Sequence, residues 1–420
     1  MFLKYLDREV SRVIRVLIAD DSAFMRKVLS DLFRRQSDFE VVDTAKNGKE
    51  AVDKAKNLKP DLITMDVNMP VMDGLSALAV IMDECPTPVV VFSSLTQEGT
   101  EATIKALSLG AVDFLSKAGG SVSKIDTIED DILLKCRNAA KAVPRSIGTS
   151  GASSRIKETE FQKRPAEPVM HRVEMPQRTG WKPQQAVQPA PKESPKGRFA
   201  KRENPLLQRK KNVPVPPASA KPVAVGDFRA ESKKLVVIGT STGGPQALQN
   251  VITRLPGNLP CGVVVVQHMP AGFTKSLANR LNAISAVSVK EAENDELIEP
   301  GHVYIAPGDY HLRIESDLSK RKIVLSQDPP VGSHRPAVNV MYDSAAQFGK
   351  DLVAVIMTGM GCDGCEGMKK IKAHGGYSIA QNEETSVIYG MPKAVVEAGL
   401  ADEIQPVQDI ALAIVEAVKK

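Results

Sequence analysis

No stretch of the 420-residue sequence approaches the roughly 18 consecutive apolar residues that a membrane-spanning helix needs, so a span of that kind is excluded. Cysteine is scarce as well: Cys85, Cys136, Cys261, Cys362 and Cys365 are odd in number and follow no framework spacing. This argues against a disulfide scaffold and for reduced thiols. Aromatic residues make up only 4% of the chain, with Trp181 the single tryptophan. The net charge of +5 is therefore not accompanied by the stacking residues that a nucleic-acid surface interleaves with its cations, and no nucleic-acid partner is expected. The opening MFLKYLDREVSRVIR mixes charges among its apolar residues and lacks the continuous apolar core of a secretory leader. A cytoplasmic location without membrane insertion is expected.

The charge surplus is local. Residues 141–230 hold 19 Lys and Arg against 7 Asp and Glu, so the rest of the chain is net acidic. The same segment carries 13 of the 28 prolines and almost no periodic apolar pattern. So few apolar groups cannot offset the entropy of ordering it, which predicts a disordered Pro-rich basic linker over 141–230, with Trp181 and His171 inside it. A chain of this length exceeds what one core usually organises, and the linker divides it into two modules, 13–140 and 231–420.

Both modules read as α/β. In the first, the runs VIRVLIA, VVDTA, DLITMD, VVVFS and AVDFL alternate with helical patterns, predicting a five-stranded parallel sheet covered on both faces. In the second, KLVVIGT, CGVVVVQH, HVYIAP, KIVLSQ and DLVAVIMTG predict a doubly wound, mostly parallel sheet. HVYIAPGDYHLRI followed by KRKIVLS predicts a β-hairpin added to it.

Open parallel sheets gather ligands at the carboxyl ends of their strands. In the first module Asp20 and Asp21 follow the first run, Asp66 the third, Ser93 and Ser94 the fourth, and Lys117 the fifth. One Asp at a strand end is ordinarily a helix cap. Several on successive ends, joined by a lysine, suit a divalent cation such as Mg2+ held by Asp20, Asp21 and Asp66 together with a phosphoryl group. Asp66 is then the nucleophile that forms an acyl phosphate, with Ser93 and Lys117 binding the phosphoryl oxygens.

The second module opens with LVVIG, GTSTGGP and the helical run PQALQNVITRL. Gly239, Gly243 and Gly244 allow a tight strand-to-helix turn, and Pro245 suits a first helical turn. Ser241 is thereby presented at a helix N-terminus, where backbone amides favour the negative charge of an acyl-transfer intermediate. A dinucleotide-binding loop would want an acidic residue after the next strand, but CGVVVVQHMP ends in Gln267 and His268. His268 fits a general base better, and Asp363, in the glycine-rich MGCDG after DLVAVIMTG, fits the carboxylate that orients it. The chain order Ser, His, Asp differs from that of α/β-hydrolases.

Residues 13–135, with MDVNMPVMDG around Asp66, resemble the CheY-like receiver family, which implies a flavodoxin-like fold. Lys117 is followed by Ala118 where that family usually has proline. GTSTGGPQAL, VVVQHMPAGFT, YIAPGDYHL, SHRPAVNVMYDSAA and IMTGMGCDGCEGM resemble the catalytic domain of the CheB chemotaxis methylesterases over 233–418. That resemblance implies Ser241 as nucleophile, His268 as base and Asp363 as its partner, with Thr242 and Met360 near the oxyanion. It implies methyl-accepting chemotaxis receptors as substrate, by hydrolysis of glutamate γ-methyl esters and deamidation of glutamine, and a CheA-type histidine kinase as phosphodonor. Mg2+ is implied at the receiver, no cofactor in the catalytic module, and a monomer. The joined reading is an esterase whose unmodified receiver covers the catalytic mouth until Asp66 is phosphorylated. A tether of about 90 residues would make that inhibition partial. The rival reading is a non-catalytic scaffold that docks on receptors. Cys362 and Cys365 read as incidental thiols, His334 as bordering the cleft or structural, and His302, His311 and His374 as structural.

Overall fold

The computed structural model describes residues 13–93, 96–116, 125–142, 233–317 and 320–420. The segment expected to be a linker, from residue 143 onward with Trp181 and His171, lies outside the described residues, as do Ser94, Lys117 and Ala118.

Five strands form in the first module, on the five runs that their β-branched composition marks: β1 (Ile14–Ala19), β2 (Phe39–Ala45), β3 (Leu62–Asp66), β4 (Val89–Ser93) and β5 (Asp113–Ser116). All pair in parallel, in the order β2-β1-β3-β4-β5. Helices α1 (Ala23–Arg34), α2 (Gly48–Leu58), α3 (Gly74–Glu84), α4 (Gln97–Ser108) and α5 (Ile125–Ala139) follow them in turn. The first four start on side-chain caps, Ser22, Asn47, Asp73 and Thr96, each accepting a hydrogen bond from a backbone amide of the first turn. Both faces of the sheet are covered, so β3 and β4 are buried along their whole length and read in sequence as mainly apolar runs that end in a polar residue, Asp66 and Ser93.

The second module begins with β6 (Leu235–Thr240), α6 (Gly244–Ile252), β7 (Val263–Gln267), α7 (Phe273–Asn282), β8 (Ser288–Glu291) and β9 (His302–Ile305). It continues through β10 (His311–Asp317), β11 (Lys320–Ser326), α8 (Val338–Ala345), β12 (Leu352–Ile356), α9 (Cys365–Ala373), β13 (Tyr377–Gln381), α10 (Met391–Glu397), β14 (Glu403–Gln405) and α11 (Ile410–Lys419). Seven strands make one parallel sheet in the order β14-β13-β12-β6-β7-β9-β8, while β10 and β11 pair antiparallel in a separate two-stranded sheet. The expected hairpin is therefore present, but HVYIAP is not part of it: His302–Ile305 runs parallel to β7 in the main sheet. The chain enters at central β6, passes through β7 to the edge strand β8, comes back between them as β9, then crosses to the other side through β12, which places the topological switch point at β6.

The described residues of both sheets belong to one compact unit. Helix α4 lies against α6 and α7, and the Phe114 and Phe273 rings meet with centroids 4.5 Å apart. The apolar core of the first module thus continues into that of the second.

Candidate active site and receiver site

Ser241, His268 and Asp363 lie beyond the ends of β6, β7 and β12, three adjacent strands. Register pairs Thr240 with Gln267 and Gly239 with Ile356, so the chain leaves all three strands at nearly the same level. The His268 amide donates to Thr240 O at 3.1 Å, and the Ser241 amide to Thr358 O at 3.0 Å. These bonds tie the turn of Ser241 to both neighbouring loops.

Thr358, which no sequence motif singles out, organises this turn. Its buried hydroxyl donates to Thr242 O at 2.9 Å, and its carbonyl accepts from the Thr240 hydroxyl at 3.0 Å. Gln267 contributes from the other side, donating to Ser241 O at 2.9 Å. Glycine is required where these loops close. A Cβ on Gly359 would stand 2.8 Å from the Cβ of Ser241, and Gly243 combines a φ of +77° with a Cβ direction 2.5 Å from Val387. Pro245 occupies the first turn of α6, as its fixed φ favours.

The His268 ring is 6% exposed and its Nε2 lies 2.8 Å from Asp363 Oδ2. Asp363 accepts two further bonds, from the amides of Val338 at 2.7 Å and Asn339 at 2.9 Å. It therefore caps α8, whose own N-cap, Ala337, has no side chain that could accept. Burial alone would raise the Asp363 pKa. The hydrogen bond and charge of His268, with the two amides, outweigh it and hold the carboxyl below its ordinary value. A carboxylate held charged in this way fixes the imidazole through Nε2 and leaves Nδ1, buried and without a hydrogen bond, as the nitrogen able to take a proton.

His334 stacks on the His268 ring, with centroids 3.9 Å apart and planes 16° from parallel. Burial, then the adjacent His268, push its pKa down to about 4, with Asp363 opposing. A histidine in the unfolded chain binds its proton near 6.5, so on acidification from about 6.5 to 4 the unfolded chain takes up a proton that the folded one refuses. Stability is thus lost as pH falls through that window. His334→Gln, neutral throughout, is expected to flatten the fall of the thermal unfolding midpoint between pH 6.5 and 4. An unchanged slope would exclude this ring as a source of acid sensitivity.

Thr242 and Met360, expected near the oxyanion, are both in contact with the first module. The Thr242 hydroxyl donates to Asp113 Oδ2 of β5 at 2.8 Å, and Asn138 Nδ2 of α5 meets Met360 Sδ. Beside them Gln246 donates to Leu107 O at 2.8 Å, and the Thr100 and Ser276 hydroxyls are 3.0 Å apart. The first module's α4, β5 and α5 therefore lie against the loops that carry Ser241 and Asp363.

At the carboxyl ends of β1 and β3, Asp20, Asp21 and Asp66 place carboxylate oxygens within 4.8 Å of one another. Asp20 and Asp66 are buried and Asp21 is exposed. Three hard oxygen donors at this spacing fit a divalent cation, and their mutual repulsion would be relieved by one. Ser93 is buried at the end of β4 and donates to Gly99 O in the first turn of α4 at 2.8 Å. Lys117 is outside the described residues.

Comparison with known proteins bears on both modules. A family model described as CheB methylesterase matches residues 236–414, and one described as response regulator receiver domain matches 16–128. The protein-glutamate methylesterase/protein-glutamine glutaminase of Symbiobacterium thermophilum is 42% identical over 411 residues, covering 97% of this chain and 98% of the relative. That of Thermotoga maritima is 41% identical over 409 residues, covering 97% and 99%. A crystal structure of the Thermotoga maritima CheB methylesterase catalytic domain is 49% identical and covers 44% of this chain and 97% of that chain, with a TM-score of 0.43.

Proposed function

The chain belongs to the protein-glutamate methylesterase/protein-glutamine glutaminase family, and from that premise we propose that it cleaves glutamate γ-methyl esters on chemoreceptor cytoplasmic helices through Ser241, His268 and Asp363. The observation that carries this reading is the His268–Asp363 pair, held on the strand ends that flank Ser241. In the proposed sequence the Ser241 hydroxyl attacks the ester carbonyl while His268 Nδ1 accepts its proton. Asp363 stabilises the imidazolium. The tetrahedral oxyanion forms against the turn of Thr242 and the loop of Met360 at the N-terminus of α6. Its collapse expels methanol, which takes the proton back from His268. Water, deprotonated by the same ring, then releases glutamate from the acyl-enzyme. Glutamine would follow the same path with ammonia as leaving group. No cofactor enters this scheme. The enzyme is proposed to act as a cytoplasmic monomer, with modules 13–140 and 231–420 joined by the 141–230 segment.

Regulation is proposed to pass through Asp66, which takes the phosphoryl group from a CheA-type histidine kinase. Mg2+ held by Asp20, Asp21 and Asp66 would screen the repulsion between carboxylate and incoming phosphoryl group. Ser93 and Lys117 would bind the phosphoryl oxygens. Ser93 now holds the first turn of α4 through Gly99, and the next residue, Thr100, meets Ser276 of α7. Drawing the Ser93 hydroxyl toward a phosphoryl group would release α4 where it lies against the catalytic module, shifting the population toward an open mouth.

Methanol release from methylated receptors, measured with and without a phosphodonor, tests both parts. Asp66→Asn is expected to leave the basal rate unchanged and to remove the phosphodonor's stimulation entirely. Stimulation that survives the substitution would move the phosphorylation site elsewhere.

A further inference from the structure

We propose that Cys362 and Cys365 form a reversible thiol–disulfide site that controls the position of Asp363. Residues 362–365 form a single turn: the Cys365 amide donates to Cys362 O at 3.1 Å, and Gly364, third in the turn, has φ +95° and ψ −19°. Those angles are those of a type II turn, which brings its first and fourth Cα within about 7 Å. A disulfide needs a Cα separation of about 4.4–6.8 Å, so the backbone already holds the two cysteines near bonding range. Both thiols are free in this structure. Cys365 Sγ, at the start of α9, lies 3.5 Å from Ala394 O, so bond formation requires that it turn away from α10 toward Cys362.

The second residue of the same turn is Asp363. Its oxygens hold His268 and the first amides of α8, and Asn339 in return accepts the amides of Gly364 and Gly367 at 3.1 and 2.8 Å. Closing a covalent ring across a turn knitted in this way shifts its middle residues. A displacement of about 1 Å in a catalytic group can cost roughly 10²-fold in rate.

The two thiols have different reactivities. Cys362 is exposed, with the first module in place, and can meet an oxidant directly, whereas Cys365 is buried and burial raises its pKa. With hydrogen peroxide as oxidant, the Cys362 thiolate attacks one peroxide oxygen, giving a sulfenic acid and, with a proton, one water. The Cys365 sulfur then attacks the sulfenic sulfur, forming the S–S bond and expelling a second water. The two thiols lose two electrons and two protons in all, and one peroxide is reduced. A small dithiol reverses the step by exchange. Cys136 and Cys261 are buried with raised pKa values, so neither competes.

The effect on turnover rests on the esterase reading above, whereas the disulfide itself does not. The test treats the full-length protein with hydrogen peroxide, alkylates remaining thiols, and follows the peptide spanning 362–365 by mass spectrometry alongside methanol release. The expected result is loss of two hydrogens from that peptide together with a tenfold or greater fall in rate, both restored by dithiothreitol. Methionine sulfoxide at Met360 would not be restored in this way. Cys362→Ser should keep its rate in peroxide, and Cys365→Ser should stop at a sulfenic acid that dimedone traps. Failure of the disulfide to form, or an equal loss of rate in Cys362→Ser, would overturn the proposal. So would a disulfide that leaves the rate unchanged. A reduced enzyme that releases no methanol would instead overturn the esterase reading.

Discussion

Ser241→Ala is expected to lower methanol release from methylated receptors by about 10³-fold or more, equivalent to some 4 kcal/mol of lost transition-state stabilisation, while receptor binding is retained. The size of the loss comes from the site. His268 is already oriented by a charged Asp363, so the removal of the hydroxyl leaves a base with nothing to deprotonate except water. Asp363→Asn should approach the same loss by another route. An amide oxygen can still accept from one of the two α8 amides, Val338 or Asn339, whereas its NH2 group faces the other and its lack of charge leaves the imidazolium unstabilised. In the proposed mechanism Ser241 and Asp363 act as one unit, so the double variant should be little worse than either single one. Retention of full activity by Ser241→Ala would exclude the acyl-enzyme route and favour a scaffold that binds receptors without acting on them.

The parts of this protein that its sequence reveals are those that one strand at a time can specify. VVVFS, LVVIG and LVAVI are buried on both faces, so each is a continuous apolar run, and the polar residues just beyond the strands' carboxyl ends stand out against it as candidates for the site. Strands whose neighbours cover them incompletely were not legible. SVKE and EIQ, at the two edges of the seven-stranded sheet, are three or four residues long and mostly polar, and only pairing with β9 and β13 makes them strands. Thr358 left a faint sign, a polar residue between Met357 and Gly359 at the end of β12. Its bond to Thr242 spans 116 positions, which no local pattern encodes. The stacking of His334 on His268 is hidden for the same reason. Thr242 and Met360 show the difference between a motif and its surroundings: the motif suggests proximity to the oxyanion, and only the fold brings Asp113 and Asn138 against them.

The second large effect is expected from a residue remote from the chemistry. Ser276→Arg, on α7, introduces a long cation where the Ser276 hydroxyl now lies 3.0 Å from Thr100 of α4. That contact has no room for a guanidinium, whereas a catalytic module released from α4 would leave the side chain in water. The substitution should therefore act only on the covered state. Each 1.4 kcal/mol by which it disfavours that state multiplies the open population about tenfold, until the site is open most of the time. The unphosphorylated variant should thus release methanol about tenfold faster than the parent, or at the parent's phosphorylated rate if that is lower. The phosphorylated rates of the two should coincide, because Ser241, His268 and Asp363 are untouched. An unchanged basal rate would mean that the contact between α4 and α7 does not restrain the enzyme. Asp113 on Thr242 and Asn138 on Met360 would then have to close the site alone, and the hydroxyl of Ser93 could not reach it through the first turn of α4.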